Sequence, residues 1–143
     1  MNMDTKTILT FQPDVYSRML DDARKCFPDE CCGFLFGEEK GCERFFSEIL
    51  IVDNAKEGDK RRRFSITPRD YLKAELMATR LNLTLLGVYH SHPLHPAVPS
   101  EHDLNVAMPY FSYVIVSVYG DDDTSVRSWK LTDERQFEEE LVS

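Results

Sequence analysis

The chain has 143 residues, 42% of them hydrophobic, with nine Phe, six Tyr and a net charge of −8 at pH 7. Length and apolar content predict one folded domain over residues 1–143 with a core of its own, and argue against a disordered chain. The acidic balance argues against a nucleic-acid binder, whose affinity rests on neutralising phosphates with Lys and Arg.

From Met1 to Phe11 there is no apolar core of signal-peptide length, and nowhere does the chain approach the roughly 18 apolar residues of a membrane span. Cytoplasmic residence without a membrane partner is the expectation. Cys26, Cys31, Cys32 and Cys42 form no CxxC pair, and two of them are adjacent. That arrangement suits buried free thiols in a reducing compartment better than a disulfide framework.

Val15, Met19, Leu20 and Ala23 recur at helical spacing between charges, so a helix is predicted over Asp14 to Phe27, stopped by Pro28. Two strands follow, Cys32 to Gly37 and Glu43 to Val52, with a turn at Glu38 to Gly41. Asn54 to Lys60 reads as a polar loop. Lys60-Arg61-Arg62-Arg63 is the one basic run, either a solvated, charge-protected edge or a contact for an acidic partner. Arg63 to Ile66 reads as a short strand, and Thr67-Pro68 as the capped start of a helix running to about Arg80.

Leu83 to Tyr89 is nearly all apolar, as in a strand buried on both faces, and it delivers His90 and His92 at its end. The strand period of two puts both imidazoles on one side. A short helix over Ser100 to Ala107 and strands over Tyr113 to Tyr119 and Val126 to Leu131 come next, the strands joined through Gly120 to Asp123. Thr132 to Leu141 is predicted to be an acidic helix, with Glu138-Glu139-Glu140 as its solvated face. Helices alternating with strands indicate the mixed α/β class with a central sheet.

All four histidines lie between His90 and Asp103. His90, His92 and Asp103 offer two imidazoles and a carboxylate, the three-ligand set that leaves a catalytic zinc one open position. The plainer reading of His-x-His alone is a metal-free surface loop. Ser100 and Asp103 at this spacing favour the ion, while His95 and His102 are read as bystanders in the loop. Glu30 sits just before a buried strand, an unusual place for a charge unless it faces a cavity, and is the candidate general acid/base. Ser100 is the candidate oxyanion donor as well as a helix cap.

Glu30, His90-Ser91-His92, the seven residues Pro93 to Pro99, and Ser100-Glu101-His102-Asp103 together resemble the signature of the JAMM metallopeptidases, the MPN-type domains. Pro28-Asp29-Glu30-Cys31-Cys32-Gly33, Arg63-Phe64 and Gly87-Val88-Tyr89-His90 share the likeness, which extends from about Thr10 to Leu131. The resemblance implies a curved mixed sheet flanked by helices, similar to the cytidine-deaminase architecture. It implies one zinc ion on His90, His92 and Asp103, with Glu30 as acid/base and Ser100 steadying the tetrahedral intermediate. The activity implied is hydrolysis of the peptide or isopeptide bond after the C-terminal Gly-Gly of a ubiquitin-fold protein. The short chain favours the prokaryotic type, whose substrate is a sulfur carrier. The alternatives are a general or cell-wall-directed zinc peptidase and a non-catalytic MPN scaffold.

Overall fold

The computed structural model describes residues 6–61, 63–120 and 123–143. Arg62 of the basic run and Asp121 and Asp122 of the predicted turn lie outside the described residues. The order of elements is β1 (Ile8–Phe11), α1 (Pro13–Cys26), β2 (Cys32–Lys40), β3 (Glu43–Val52), α2 (Pro68–Leu81), β4 (Thr84–Pro93), α3 (Glu101–Val106), β5 (Ser112–Gly120), β6 (Asp123–Leu131) and β7 (Phe137–Val142). The strands form one mixed sheet in the order β1-β3-β2-β4-β5-β6-β7, and β7 pairs with β1 in parallel to close it. The sheet is thus more than curved: it meets itself and leaves neither end strand as a free edge.

The helices begin where their caps dictate. Gln12 Oε1 accepts from Val15 N–H at 3.1 Å and Thr67 Oγ1 from Asp70 N–H at 3.1 Å, with Pro in the first turn of both helices. Helix α2 stops at Asn82, which adopts a left-handed conformation (φ 55°) that a short amide side chain tolerates. Val15, Met19 and Ala23 of α1 pack with Leu35, Phe46, Tyr89 and Val116 on one side of the sheet. Ala74 and Ala78 of α2 pack with Phe34, Phe36, Leu85 and Val88 on the other. Strands β2 and β4 are therefore covered on both faces, which is why their sequences are almost uninterrupted apolar runs.

Gly33 is required by close approach, because a Cβ there would collide with the Tyr89 ring and the Leu50 carbonyl. The ring so accommodated reaches across to α1, where the Tyr89 hydroxyl donates to buried Asp22 at 2.7 Å.

Several sequence expectations are corrected. The segment expected as an acidic C-terminal helix instead turns at Thr132–Gln136 and becomes β7, antiparallel to β6. Helix propensity is overridden by what Glu140 finds in the sheet: Ser128 Oγ donates to its Oε1 at 2.7 Å and Ser112 Oγ to its Oε2 at 3.1 Å. Glu140 is buried, not a solvated helix face, while Glu139 is held on the surface by Arg127 Nε and Nη2, each at 2.8 Å. Ser112 also accepts from Arg44 Nη1 at 2.9 Å, and Arg44, 1% exposed, donates through Nε to Glu39 at 2.7 Å. Glu140→Ala is expected to lower stability by about 2 kcal/mol, by removing the acceptor of the buried Ser112 hydroxyl and the nearer acceptor of Ser128, which keeps only the Tyr113 carbonyl at 3.4 Å. A shift in urea midpoint with unchanged slope checks this.

Residues 63–66 form no ladder strand. They are an extended segment clasped by Asn54, whose Oδ1 accepts from Ser65 N–H at 3.0 Å while Ala55 N–H donates to the Ser65 carbonyl at 2.9 Å. Strand β4 continues through Pro93, so His90 and His92 lie within it rather than past its end. The cysteines are free, and Cys31 and Cys32 are buried, but Cys42 is exposed in the β2–β3 turn. Among the described residues no helix is long and apolar enough to cross a membrane.

Candidate metal centre

His90 and His92 point to the same side of β4, as strand alternation requires, and α3 brings Asp103 to them. His90 Nε2 and His92 Nε2 are 3.1 Å apart, and Asp103 Oδ2 lies 3.3 Å from the first and 3.2 Å from the second. Three ligands on a tetrahedral ion with bonds of about 2.0–2.1 Å stand about 3.3 Å from one another. The triangle thus has the size of one face of such a coordination shell, and all three residues are buried. The Pro96 carbonyl, 2.8 Å from His92 Nδ1, can only accept, so His92 carries its proton there and turns the Nε2 lone pair to the triangle. Burial lowers the pKa of His90, with the charge and hydrogen bond of Asp103 only partly opposing, a shift toward the neutral form that a ligand needs.

Asp103 is fixed from two directions. Its Oδ2 accepts from Ser100 N–H at 2.8 Å, and its own N–H donates to Ser100 Oγ at 3.0 Å, a reciprocal cap at the start of α3. Although burial raises its pKa, His90 and the hydrogen bonds it accepts outweigh that and keep the carboxyl ionised, well below the usual range. His90 is also stacked on Phe64 at 4.3 Å with an interplanar angle of 21°, so the extended segment 63–66 forms a wall of the site.

Glu30 is 5% exposed, and its carboxylate has no hydrogen-bond partner among the described residues. Burial first and the charge of Asp103 second push its pKa up to about 9. Its backbone is held on both sides: Glu30 N–H donates to the Lys60 carbonyl at 2.7 Å, and Asn54 Nδ2 donates to the Glu30 carbonyl at 3.1 Å. The next residue is tied to the centre as well, since Cys31 N–H donates to Ser91 Oγ at 2.8 Å. Sequence reasoning missed Asn54, Phe64 and Ser91 in these roles. Only Ser91 left a signal, because strand alternation turns it away from its two histidine neighbours.

A cavity of about 400 Å³ lies over the centre, lined by Glu30, His92, His95, Pro96, Val98 and Ser100. A second, of about 320 Å³, is lined by Phe64, Ile66, Tyr71, Met108 and His102 and Val106 of α3, among others. His95 and His102 thus stand outside the ligand triangle, yet each lines a cavity. The loop carrying His95 is held by three successive carbonyls. Ser117 Oγ donates to that of His95 at 2.5 Å, His92 Nδ1 to that of Pro96, and Trp129 Nε1 to that of Ala97 at 3.0 Å. Arg127 lies over the Trp129 ring, 4.8 Å from its centroid.

The chain is 30% identical over 136 residues to the CysO-cysteine peptidase of Mycobacterium tuberculosis, covering 94% of this chain and 90% of that protein. It is 29% identical over 111 residues to the desampylase of Pyrococcus furiosus, covering 77% of this chain and 72% of that one. A Desulfitobacterium hafniense protein solved in solution superimposes with a TM-score of 0.85 at 29% identity, covering 94% of this chain and 91% of that one. The pattern of the family described as prokaryotic homologs of the JAB domain matches residues 12–132, and the chain belongs to that family.

Proposed function

We propose that the protein is a zinc-dependent peptidase that hydrolyses the amide bond after the C-terminal Gly-Gly of a ubiquitin-fold protein, a prokaryotic sulfur carrier. The observation that carries this reading is the convergence of His90 Nε2, His92 Nε2 and Asp103 Oδ2 at 3.1–3.3 Å beside the unpaired carboxyl of Glu30. The names of the peptidase from Mycobacterium tuberculosis and the desampylase from Pyrococcus furiosus support a hydrolase that removes something from a small carrier protein.

His90, His92 and Asp103 fit zinc by donor type, spacing and tautomer. Zinc held there by His90, His92 and Asp103 would supply a Lewis acid that acidifies a water and polarises a carbonyl. Glu30 takes up the proton that the water gives away and passes it to the departing nitrogen. Ser100 Oγ already accepts from Asp103 N–H, which leaves its single O–H proton free to donate to the oxyanion. Phe64 excludes water from one flank of the site. A Gly-Gly tail, with no side chains to clash, fits extended along Phe64 to Ile66, which line the 320 Å³ cavity.

Mass spectrometry of sulfur-carrier fusions that extend beyond Gly-Gly tests the reading. Release of the extension directly after the second Gly, abolished by chelator and restored by zinc, is expected. Equal cleavage of unrelated peptides would replace it with a general peptidase. Ser100→Ala is expected to lower kcat by about 10²–10³-fold through the lost oxyanion donor, and to lower stability by about 1 kcal/mol through the lost cap. Steady-state kinetics and thermal melting separate the two effects.

A further inference from the structure

His95 is exposed in the wall of the 400 Å³ cavity, and its ring has no hydrogen-bond or ion-pair partner among the described residues. Its backbone is the opposite case. The Leu94 N–H donates to the Val118 carbonyl at 2.8 Å, and the carbonyls of His95, Pro96 and Ala97 are each occupied by a donor from β5, β4 or β6. A loop held this firmly fixes the backbone from which an unpaired imidazole reaches into the cavity, so little chain freedom is lost when that imidazole binds.

The two cavities are not equivalent. Glu30 lines the 400 Å³ cavity together with His92 and Ser100, and it is absent from the wall of the 320 Å³ one. On the function proposed above, Glu30 must protonate the departing nitrogen; Glu30 also lines a third cavity, of about 340 Å³, with Asn54 and Lys60, but only the 400 Å³ cavity joins it to His92 and Ser100, so that is where the leaving group sits. Every other hydrogen-bonding side chain in that wall is already engaged, since Glu30 moves the proton, Ser100 faces the oxyanion and His92 belongs to the ligand triangle. Pro96 and Val98 have no polar side-chain atom to offer. His95 remains as the group that must find its partner on the leaving residue.

The nature of that partner follows from connectivity. When the departing nitrogen is an α-amine, a carboxyl carbon lies two bonds away. When it is the ε-amine of a lysine, four methylenes lie there instead. We infer that His95 selects the leaving group, its imidazole N–H donating to the carboxylate of a single amino acid released from the Gly-Gly end, in preference to a lysine side chain or an internal residue of a longer chain. The hydrogen bond needs no change in protonation, only the N–H that a neutral imidazole always carries.

Three fusions of one sulfur carrier make the test: Gly-Gly followed by alanine with a free carboxylate, by alanine carboxamide, and by lysine linked through its ε-nitrogen. The zinc-loaded enzyme is expected to cleave the carboxylate form with a kcat/KM about tenfold above either of the others, the worth of one charge-assisted hydrogen bond. His95→Ala should bring these ratios close to one, mostly through KM, with zinc content and melting temperature unchanged. His95→Gln, which keeps an N–H donor, should retain part of the preference. Equal rates of the wild-type enzyme on the three fusions, or ratios that survive in His95→Ala, overturn the inference while leaving the proposed function standing. Failure of the wild-type enzyme to cleave any of them removes both.

Discussion

Glu30→Gln is expected to keep zinc and fold but to lose about 10²–10⁴-fold in kcat, the usual contribution of a positioned acid/base. The amide matches the carboxyl in size yet can neither accept the water's proton nor return it to the nitrogen. Metal analysis and single-turnover cleavage read the two halves of this statement. A variant that turns over at the wild-type rate would remove Glu30 from the role.

The same substitution has a second consequence, opposite in sign. In chelator-treated protein the Glu30 pKa is raised from 4.5 to about 9. A raised carboxyl contributes its full stability below the unfolded value, near pH 4.5, and loses it as the pH climbs toward 9. The Gln variant carries no such penalty. Its advantage over the parent should therefore widen across that window, by at most about 1.4 kcal/mol per pH unit. Urea melts of both proteins at pH 5 and pH 8 measure it. With a dication bound, the neighbouring charge reverses sign and the carboxyl falls back toward the range of a base that works near neutral pH. A residue that favours the reaction thus burdens the empty fold.

His92→Ala is expected to reduce bound zinc from about one per chain to a small fraction of that, weakening affinity by on the order of 10³-fold or more, and to abolish chelator-sensitive cleavage. Two ligands remain, but the loss reaches further than the imidazole. The Pro96 carbonyl loses the donor that holds the His95–Ala97 loop to β4. Because zinc binds the folded state, the wild-type melting temperature should rise with added zinc and that of the variant should not. Undiminished metal content in the variant would exclude His92 as a ligand.

The site was more legible in the sequence than the frame around it. His90, His92, Ser100 and Asp103 are close in the chain, and two local rules suffice to bring them together: alternation along a strand, and a cap at the start of a helix. Glu30, sixty residues upstream of His90, was readable from the charge that stands where a buried strand begins and from the family signature that includes it. Ile8 to Phe11 is too short to show a period, and its strand exists because β3 and β7 lie on either side of it. The run Glu138 to Glu140 has the local preferences of a helix. Its strand depends on Ser112 and Ser128, brought from elsewhere in the chain by sheet register. Asn54 and Phe64 were invisible as parts of the site for the same reason: their partners are set by tertiary contacts, not by spacing.

The chain has one tryptophan, Trp129, and its indole N–H is bonded to Ala97 in the loop beside the reacting groups, with the Arg127 guanidinium over its ring. Emission from an indole follows its hydrogen bond and the charges around it. A ligand that adds charge beside that loop alters the field at the ring, so the protein carries its own fluorescent label on the loop that lines the cavity, and occupancy can be followed in unmodified enzyme.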